Sequence, residues 1–313
     1  MAIRSVLIRP ERVADYAEIG ALNARAFDNR TGEPMVVALQ RQRRVFDPEL
    51  SLVAEIEGHI VGHVLFSPYR MRLLGQTVPT VNLAPIAVDP AYQNQGIGGQ
   101  LIAEGHAVAT SKGYTISILF GHTTYYPRFG YHTYAFGPSH LTLSAEASTV
   151  ELLDTRGPTS EDVSALCELW QREEQGVDMA LEPDHDLLDW LSPHPAIRAS
   201  VYTRAGEVVG YTRIHQDEPT TPRVFLAHDA DTARAMLATM VSKRAETPEV
   251  SFTLPLHPLS ASAASLGHVE STPWEAGMAY ELAPSPLPDY LAEVREKRRP
   301  AGRPIWPVAF DLS

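Results

Sequence analysis

The sequence predicts a mixed α/β (α+β) fold: a mostly antiparallel sheet flanked by helices, present as two tandem units. Three observations carry that expectation. Short apolar runs bounded by glycine, proline or charge alternate with longer segments whose apolar residues recur at helical spacing. A strand–turn–strand signal occurs in each half, at Glu57-Gly58 and at Ala205-Gly206-Glu207. And 313 residues, 44% hydrophobic and 20% charged, suffice for two cores and do not read as disordered.

In order, Val6 to Pro10 is a short strand closed by proline. Tyr16, Ile19, Leu22 and Phe27 mark one helix, and Met35 to Phe46 a second. Leu52 to Ile56 and Ile60 to Phe66 form an antiparallel hairpin. Thr80 to Val88 is a strand stopped by Asp89-Pro90, and Ile97 to Ser111 a helix with Gly113 as its stop. Thr115 to Phe120 is a strand, and Tyr125 to Gly130 a short helix or turn.

The second half repeats this order weakly. Val150 to Leu153 is a strand, and Ser160 to Glu174 a helix capped by Ser160. Two paired strands surround Ala205-Gly206-Glu207, followed by strand Arg223 to Ala227, helix Ala230 to Arg244 and strand Val250 to Leu254. A short helix ends before Gly267, and Met278 to Leu282 is the last strand. The expected boundaries are 1–150, 151–283 and a proline- and arginine-rich tail, 284–313, read as a tether whose apolar end docks.

Composition narrows the function classes. No apolar run nears the roughly 18–20 residues that cross a bilayer, and the N-terminal apolar stretch is too short for a signal-peptide core. The single cysteine, Cys167, excludes an intrachain disulfide and a cysteine-based zinc site; it sits in a helical pattern as a core residue. A reducing cytoplasm is the expected compartment. A net charge of -12 disfavours nucleic acid and acidic membranes as partners, and favours a cationic substrate if the acidic groups gather at the site.

The segment that carries chemistry is Gln93-Asn94-Gln95-Gly96-Ile97-Gly98-Gly99-Gln100, which follows a strand and opens a helix. Glycine lets backbone approach a ligand, and unpaired N–H groups point outward along the positive end of the helix dipole, so such a place binds phosphate. Taken alone, a tight structural turn explains it equally. No lysine follows to make a nucleotide P-loop, and two helices and three strands come before the strand that leads into it, against a dinucleotide-binding fingerprint.

Strand Leu83 to Val88, then Asp89-Pro90-Ala91-Tyr92, then Gln93-x-x-Gly96-x-Gly98 and a helix ending Lys112-Gly113-Tyr114, resembles the acetyl-CoA motif of the GNAT superfamily of N-acetyltransferases. Tyr126-Pro127-Arg128-Phe129-Gly130-Tyr131 is similar to the family's downstream motif, and flanking elements extend the likeness over roughly 1–150. The resemblance implies a GNAT fold and acetyl-CoA as cosubstrate, with no metal. Backbone amides of Gln95, Gly96, Ile97, Gly98 and Gly99 would hold the pyrophosphate, with Gln93 opening the motif. Ile86, Ala87 and Val88 would pair with the pantetheine arm. Tyr126 falls on the general acid that protonates the departing thiolate; as the alternative, it is a packing tyrosine beside Phe129 and Tyr131.

The general base stays open. The family's base position falls on Asn82, which cannot accept a proton and could at most orient a water. His122 could titrate near neutrality, or serve as a hydrogen-bonded loop histidine. His63 and Glu55 are weaker candidates, and the C-terminal carboxylate of Ser313 and a water chain complete the set. At the matching point of the second half, Asp229-Ala230-Asp231 opens a helix without glycine, and the tyrosine motif is missing. That half therefore reads as a degenerate copy. The expected activity is N-acetylation of a primary amine on a small molecule. The alternatives are a protein N-terminus or lysine as acceptor, a longer acyl group, and an acetyl-CoA sensor without turnover. A homodimer is left open.

Overall fold

The computed structural model describes residues 5–146, 152–242, 249–304 and 308–312. Strand β1 (Leu7–Pro10) leads into helices α1 (Tyr16–Ala26) and α2 (Gly32–Gln40), strands β2 (Ser51–Ile56), β3 (His59–Leu73) and β4 (Gln76–Val88), helix α3 (Ile97–Ser111) and strand β5 (Ile116–Phe120). A 3-10 turn, Tyr126–Phe129, precedes β6 (Ser139–Glu146). The order then recurs with β7 (Asp154–Arg156), α4 (Val163–Glu174), β8 (Ile197–Arg204), β9 (Glu207–His215), β10 (Val224–Ala227), α5 (Ala230–Ser242) and β11 (Glu249–Leu254). The chain continues through α6 (Ala263–Leu266), β12 (Glu270–Ser271), β13 (Gly277–Glu281) and α7 (Leu287–Arg295).

The hairpin turns follow from local chemistry. Glu57 and Gly58 have φ of 54° and 83°, Ala205 and Gly206 50° and 86°, so both central residues are left-handed. That twist matches the right-handed twist of the flanking strands. Leu74 and Gly75 (47° and 76°) make a third turn of this kind, which the sequence reading did not include. There, β3 and β4 run far beyond the expected Phe66 and Thr80. Pro68 and Pro79 lie within the extensions, and proline argues against a strand when only sequence is at hand. The expected strand over 150–153 falls partly outside the described residues; the observed strand is β7.

The first sheet has the order β1-β2-β3-β4-β5-β13, the second β10-β9-β8-β7, and a third joins β11, β6 and β12. Each half thus sends its closing strand to the other. β13 pairs antiparallel with β5, Gly277 opposite Phe120 through Glu281 opposite Ile116. β6 pairs with β11 along its length and with β12. The division at 150 therefore separates strands that are hydrogen-bonded to each other, β6 from β11 and β12 and β5 from β13.

On one face of the first sheet, α3 packs Ile97, Leu101 and Ile102 against Val64, Phe66, Val81 and Leu83. The Phe66 ring occupies the space a side chain at Gly105 would need. The opposite face is covered by α1 and α2, with Ile19, Leu22 and Val37 on Val53 and Leu65, and by α7. Leu287, Tyr290, Leu291 and Val294 of α7 are buried with Ile116, Ile118 and Ala279. Segment 284–304 is therefore core rather than tether. The sequence reading missed α7 because Pro286 and Pro288 suggest irregular chain, yet both sit at the helix start, where proline's missing N–H costs nothing.

A fragment comprising residues 1–150 lacks β13 and α7 and leaves the β5 edge and the Ile116–Ile118 face open to water. It should show no cooperative thermal unfolding, whereas the full chain should melt cooperatively; calorimetry on both would decide, and a fragment melting like the full chain would refute the coupling.

Candidate active site

The site begins as a fork in the first sheet. β4 pairs with β5 only at Thr80, Val81 and Asn82. Beyond Asn82 it stays paired with β3, but Val64 opposes Ile86 while Phe66 opposes Leu83, so β4 carries one extra residue there. Such a bulge bends a strand. The main-chain edge of residues 83–88, including Ile86, Ala87 and Val88, consequently faces the gap left by β5.

At the end of β4, the Asp89 carboxylate accepts from the Ala91 amide (3.0 Å) and binds the Arg25 guanidinium of α1 (2.8 Å). Asn94 and Gly96 are left-handed, with φ of 60° and 84°, and turn the chain into α3. Gly96 is the N-cap, so the amides of Ile97, Gly98 and Gly99 have no intrahelical acceptor. Gln93 donates to the Val88 carbonyl (3.2 Å) and Gln95 to that of Ala91 (3.5 Å), leaving both side chains braced against the loop. A side chain at Gly98 would overlap the Tyr125 hydroxyl, and one at Gly99 would come within 2.8 Å of the Phe129 ring. The two sequence motifs are thus in direct contact. These are cradle positions: only glycine fits, and the helix dipole points into the opening.

Tyr126 is 8% exposed, lies against Gly121, and meets Tyr125 edge-on with centroids 5.2 Å apart. Burial, with a smaller contribution from Tyr125, pushes its phenol up to about 12, so it keeps its proton at neutral pH. Tyr125 is half-buried with its hydroxyl at the loop. Tyr131 is held elsewhere, between Ser117 Oγ (2.6 Å) and His106 Nε2 (2.9 Å).

The base candidates separate cleanly. His63 is completely buried: its Nδ1 faces the Asn23 amide (3.2 Å) and its Nε2 the Ser51 hydroxyl (3.0 Å). Ser51 in turn donates to Glu11 (2.6 Å), which is clamped by Arg41. The network assigns Nδ1 as acceptor and Nε2 as donor, a closed chain with no lone pair to spare. Burial, and then Arg41, pushes this imidazole down to about 3. Glu55 is held by Arg9 (2.9 Å). His122 is exposed, and its carbonyl accepts from the Tyr125 amide (3.1 Å). The last described turn, Val308–Leu312, packs on α2, and Asp311 is buried between Arg213 (3.3 Å) and Arg223 (3.5 Å). Ser313 lies outside the described residues.

Asn82 is 1% exposed, and neither its amide nitrogen nor its oxygen has a partner among the described residues. Its register partner across β3 is Ser67, 2% exposed, whose hydroxyl is likewise unpartnered. Register partners share a sheet face with Cβ atoms about 5 Å apart. An unmet buried polar group costs about 1–3 kcal/mol. Two side by side at the root of the fork therefore mark a place built for a water or a ligand group. Ser67 escaped the sequence reading, since nothing local distinguishes it.

In the second half, the Asp229 carboxylate caps α5 by accepting from the Thr232 amide (2.7 Å) and also meets His228 (3.1 Å). The Thr232 bond, then His228, holds Asp229 down near 2. A fixed negative charge occupies the helix start where the first half has glycine.

Residues 8–134 match the model of the Acetyltransferase (GNAT) domain. Escherichia coli N-acetyltransferase YhbS, itself uncharacterised, is 35% identical over 127 residues, 40% of this chain and 73% of that protein. The chain belongs to the GNAT family. The uncharacterised E. coli N-acetyltransferase YjhQ is 38% identical over 120 residues, 38% of this chain, which spans 65% of that relative's length. A GCN5-related N-acetyltransferase from Kribbella flavida shares the fold over 88% of this chain and 71% of its own, with a TM-score of 0.65 at 19% identity. The likeness of fold thus covers most of the chain, beyond the residues that the domain model matches. Among the described residues, no helix is long and apolar enough to cross a membrane.

Because folded His63 stays neutral while the unfolded imidazole protonates near 6.5, wild-type stability attributable to it is intact above pH 6.5 and falls by about 1.4 kcal/mol per pH unit below. A His63→Gln variant should be less stable than wild type at pH 7.5, with the deficit shrinking by about 2 kcal/mol at pH 5 in urea titrations. An unchanged deficit would mean that His63 is charged in the fold.

Proposed function

We propose that this chain is an acetyl-CoA-dependent N-acetyltransferase acting on a primary amine of a small molecule. The observation that carries the reading is the contact between the Gly96–Gly99 helix start and the Tyr125–Phe129 segment beside an open β4 edge. The residues present fit acetyl-CoA: glycines where side chains would clash, unpaired helix-start amides, and free main chain along residues 83–88. Amides of residues 95–99 would hold the pyrophosphate, and Ile86, Ala87 and Val88 would pair with the pantetheine arm. Acetyl-CoA supplies an activated acetyl thioester. Tyr126, protonated at neutral pH, would give its proton to the thiolate as CoA departs.

The unpartnered Asn82 and Ser67 would position the acceptor or the water that takes its proton. An ammonium has no lone pair, so the amine must be deprotonated before attack. His63 and Glu55 are engaged elsewhere in the structure, which favours a water chain through Asn82 and Ser67, with His122 and the C-terminal carboxylate of Ser313 as the remaining carriers. The acidic net charge favours a cationic acceptor. The second half, with the same element order but Asp229 in place of glycine, would be a GNAT unit that no longer binds acetyl-CoA and serves the first structurally. One acetyl-CoA per chain is expected.

Steady-state turnover with a panel of amines tests this reading. Tyr126→Phe should lower kcat by about 100-fold or more, the usual weight of a general acid, while Tyr125→Phe changes it only a few-fold. Gly98→Val should raise the KM for acetyl-CoA at least tenfold with a smaller effect on kcat. Tight acetyl-CoA binding without CoA release on any amine, and indifference to Tyr126→Phe, would turn the assignment to a metabolite sensor.

A further inference from the structure

A cavity of about 660 Å³ lies away from the fork, between the segment after the 3-10 turn, the approach to β13 and the end of α7. Its size is that of a small-molecule site. The lining holds Arg295, Lys297, Arg298, Arg299 and His132, and no aspartate or glutamate, in a chain whose acidic residues outnumber its lysines and arginines 38 to 26. Arg298 meets Glu296, and Arg299 meets Asp178 and Glu293 (2.9 and 2.8 Å). Arg295 and Lys297 form no ion pair among the described residues and are exposed at the rim. Two uncommitted cations in a cavity without carboxylates favour an anion.

The remaining lining adds a second chemistry. Leu291 and Val294, each nearly buried, give an apolar floor. Tyr134 is 49% exposed and left-handed, with φ of 59°, a conformation that a bulky side chain seldom adopts and that recurs at ligand sites. Lys297, also on the wall, is left-handed at 57°. The walls are fixed. Tyr290 Oη donates to the Ala135 carbonyl and accepts from the Gly302 amide, both at 2.7 Å. The Ala301 carbonyl accepts from Ser271 (3.0 Å) and lies 2.9 Å from His257 Nε2. A preformed cavity spares a ligand the cost of ordering its site.

We propose that this cavity binds an anionic ligand with a planar ring, of the nucleotide class: Arg295 and Lys297 take the phosphate and Tyr134 stacks on the ring. Calorimetric titration of the full chain with ADP, adenosine and inorganic phosphate tests it. ADP should bind at least tenfold more tightly than adenosine or phosphate. The double variant Arg295→Ala, Lys297→Ala should weaken ADP at least tenfold, and Tyr134→Ala several-fold. Both cations are exposed, so the variant should keep the wild-type melting curve. Gly98→Val, which alters the helix start of α3, should leave the ADP binding that depends on Arg295 and Lys297 unchanged. Absence of ADP binding overturns the proposal. So does ADP binding that survives the double variant and is lost in Gly98→Val, since that places the nucleotide on the glycine loop. Phosphate binding as tightly as ADP overturns the ring-recognising part.

Discussion

The structure turns on how β5 is held. A fork between two parallel strands needs them hydrogen-bonded at the root and apart at the tip, and here only Thr80 to Asn82 join β4 to β5. A five-residue strand attached so briefly on one side would be a loose edge. β13 prevents that by pairing with all of β5 from the outside, Gly277 to Glu281 against Ile116 to Phe120. The gap beside residues 83–88 is kept open by a strand that arrives more than 150 residues later. β6 makes the reciprocal move onto β11, so neither half completes its sheet alone. Each half can thus be indispensable to the other's sheet.

The face of the first sheet under α1 and α2 shows how the chain separates structure from chemistry. Asn23, His63, Ser51, Glu11 and Arg41 form a buried chain in which each group answers the next. Networks of this kind rigidify and specify a fold, although Asn23 Oδ1 has no partner among the described residues. Ser67 and Asn82 lie on the same face and answer nothing. The difference is not burial, for all are nearly inaccessible. It is that both ring nitrogens of His63 are engaged, whereas neither Asn82 nor the Ser67 hydroxyl has a partner among the described residues, and these two lie where the strands part.

What was legible in the sequence was local. The Gly96 turn, the full extent of α3 and the hairpin at Glu57-Gly58 all depend on neighbours within a few residues, and glycine, proline and periodicity report those directly. Strand partners depend on residues far away, so the exchange of β6 and β13 left no local mark. α7 was hidden by the prolines that in fact start it. His63 stayed a base candidate until its burial and its two partners were known, because a histidine's titration is set by surroundings the sequence does not list. Asn82 was read as unable to take a proton. The structure adds that no described residue hydrogen-bonds to its side chain.

Net charge shows the same limit from the other side. A balance of -12 suggests an acidic surface inviting cations, yet many of the carboxylates are consumed in pairs with arginine: Glu11 with Arg41, Asp89 with Arg25, Asp178 with Arg299, Glu174 with Arg303. Paired charges project little field beyond a few ångströms. The groups left open at the root of the fork, Asn82 and Ser67, are neutral hydrogen-bonders. Such groups act through direction and fit at short range, whatever the net charge adds at a distance. Any polar group that enters there and fails to meet them leaves a buried amide or hydroxyl unmet, at a cost of about 1–3 kcal/mol.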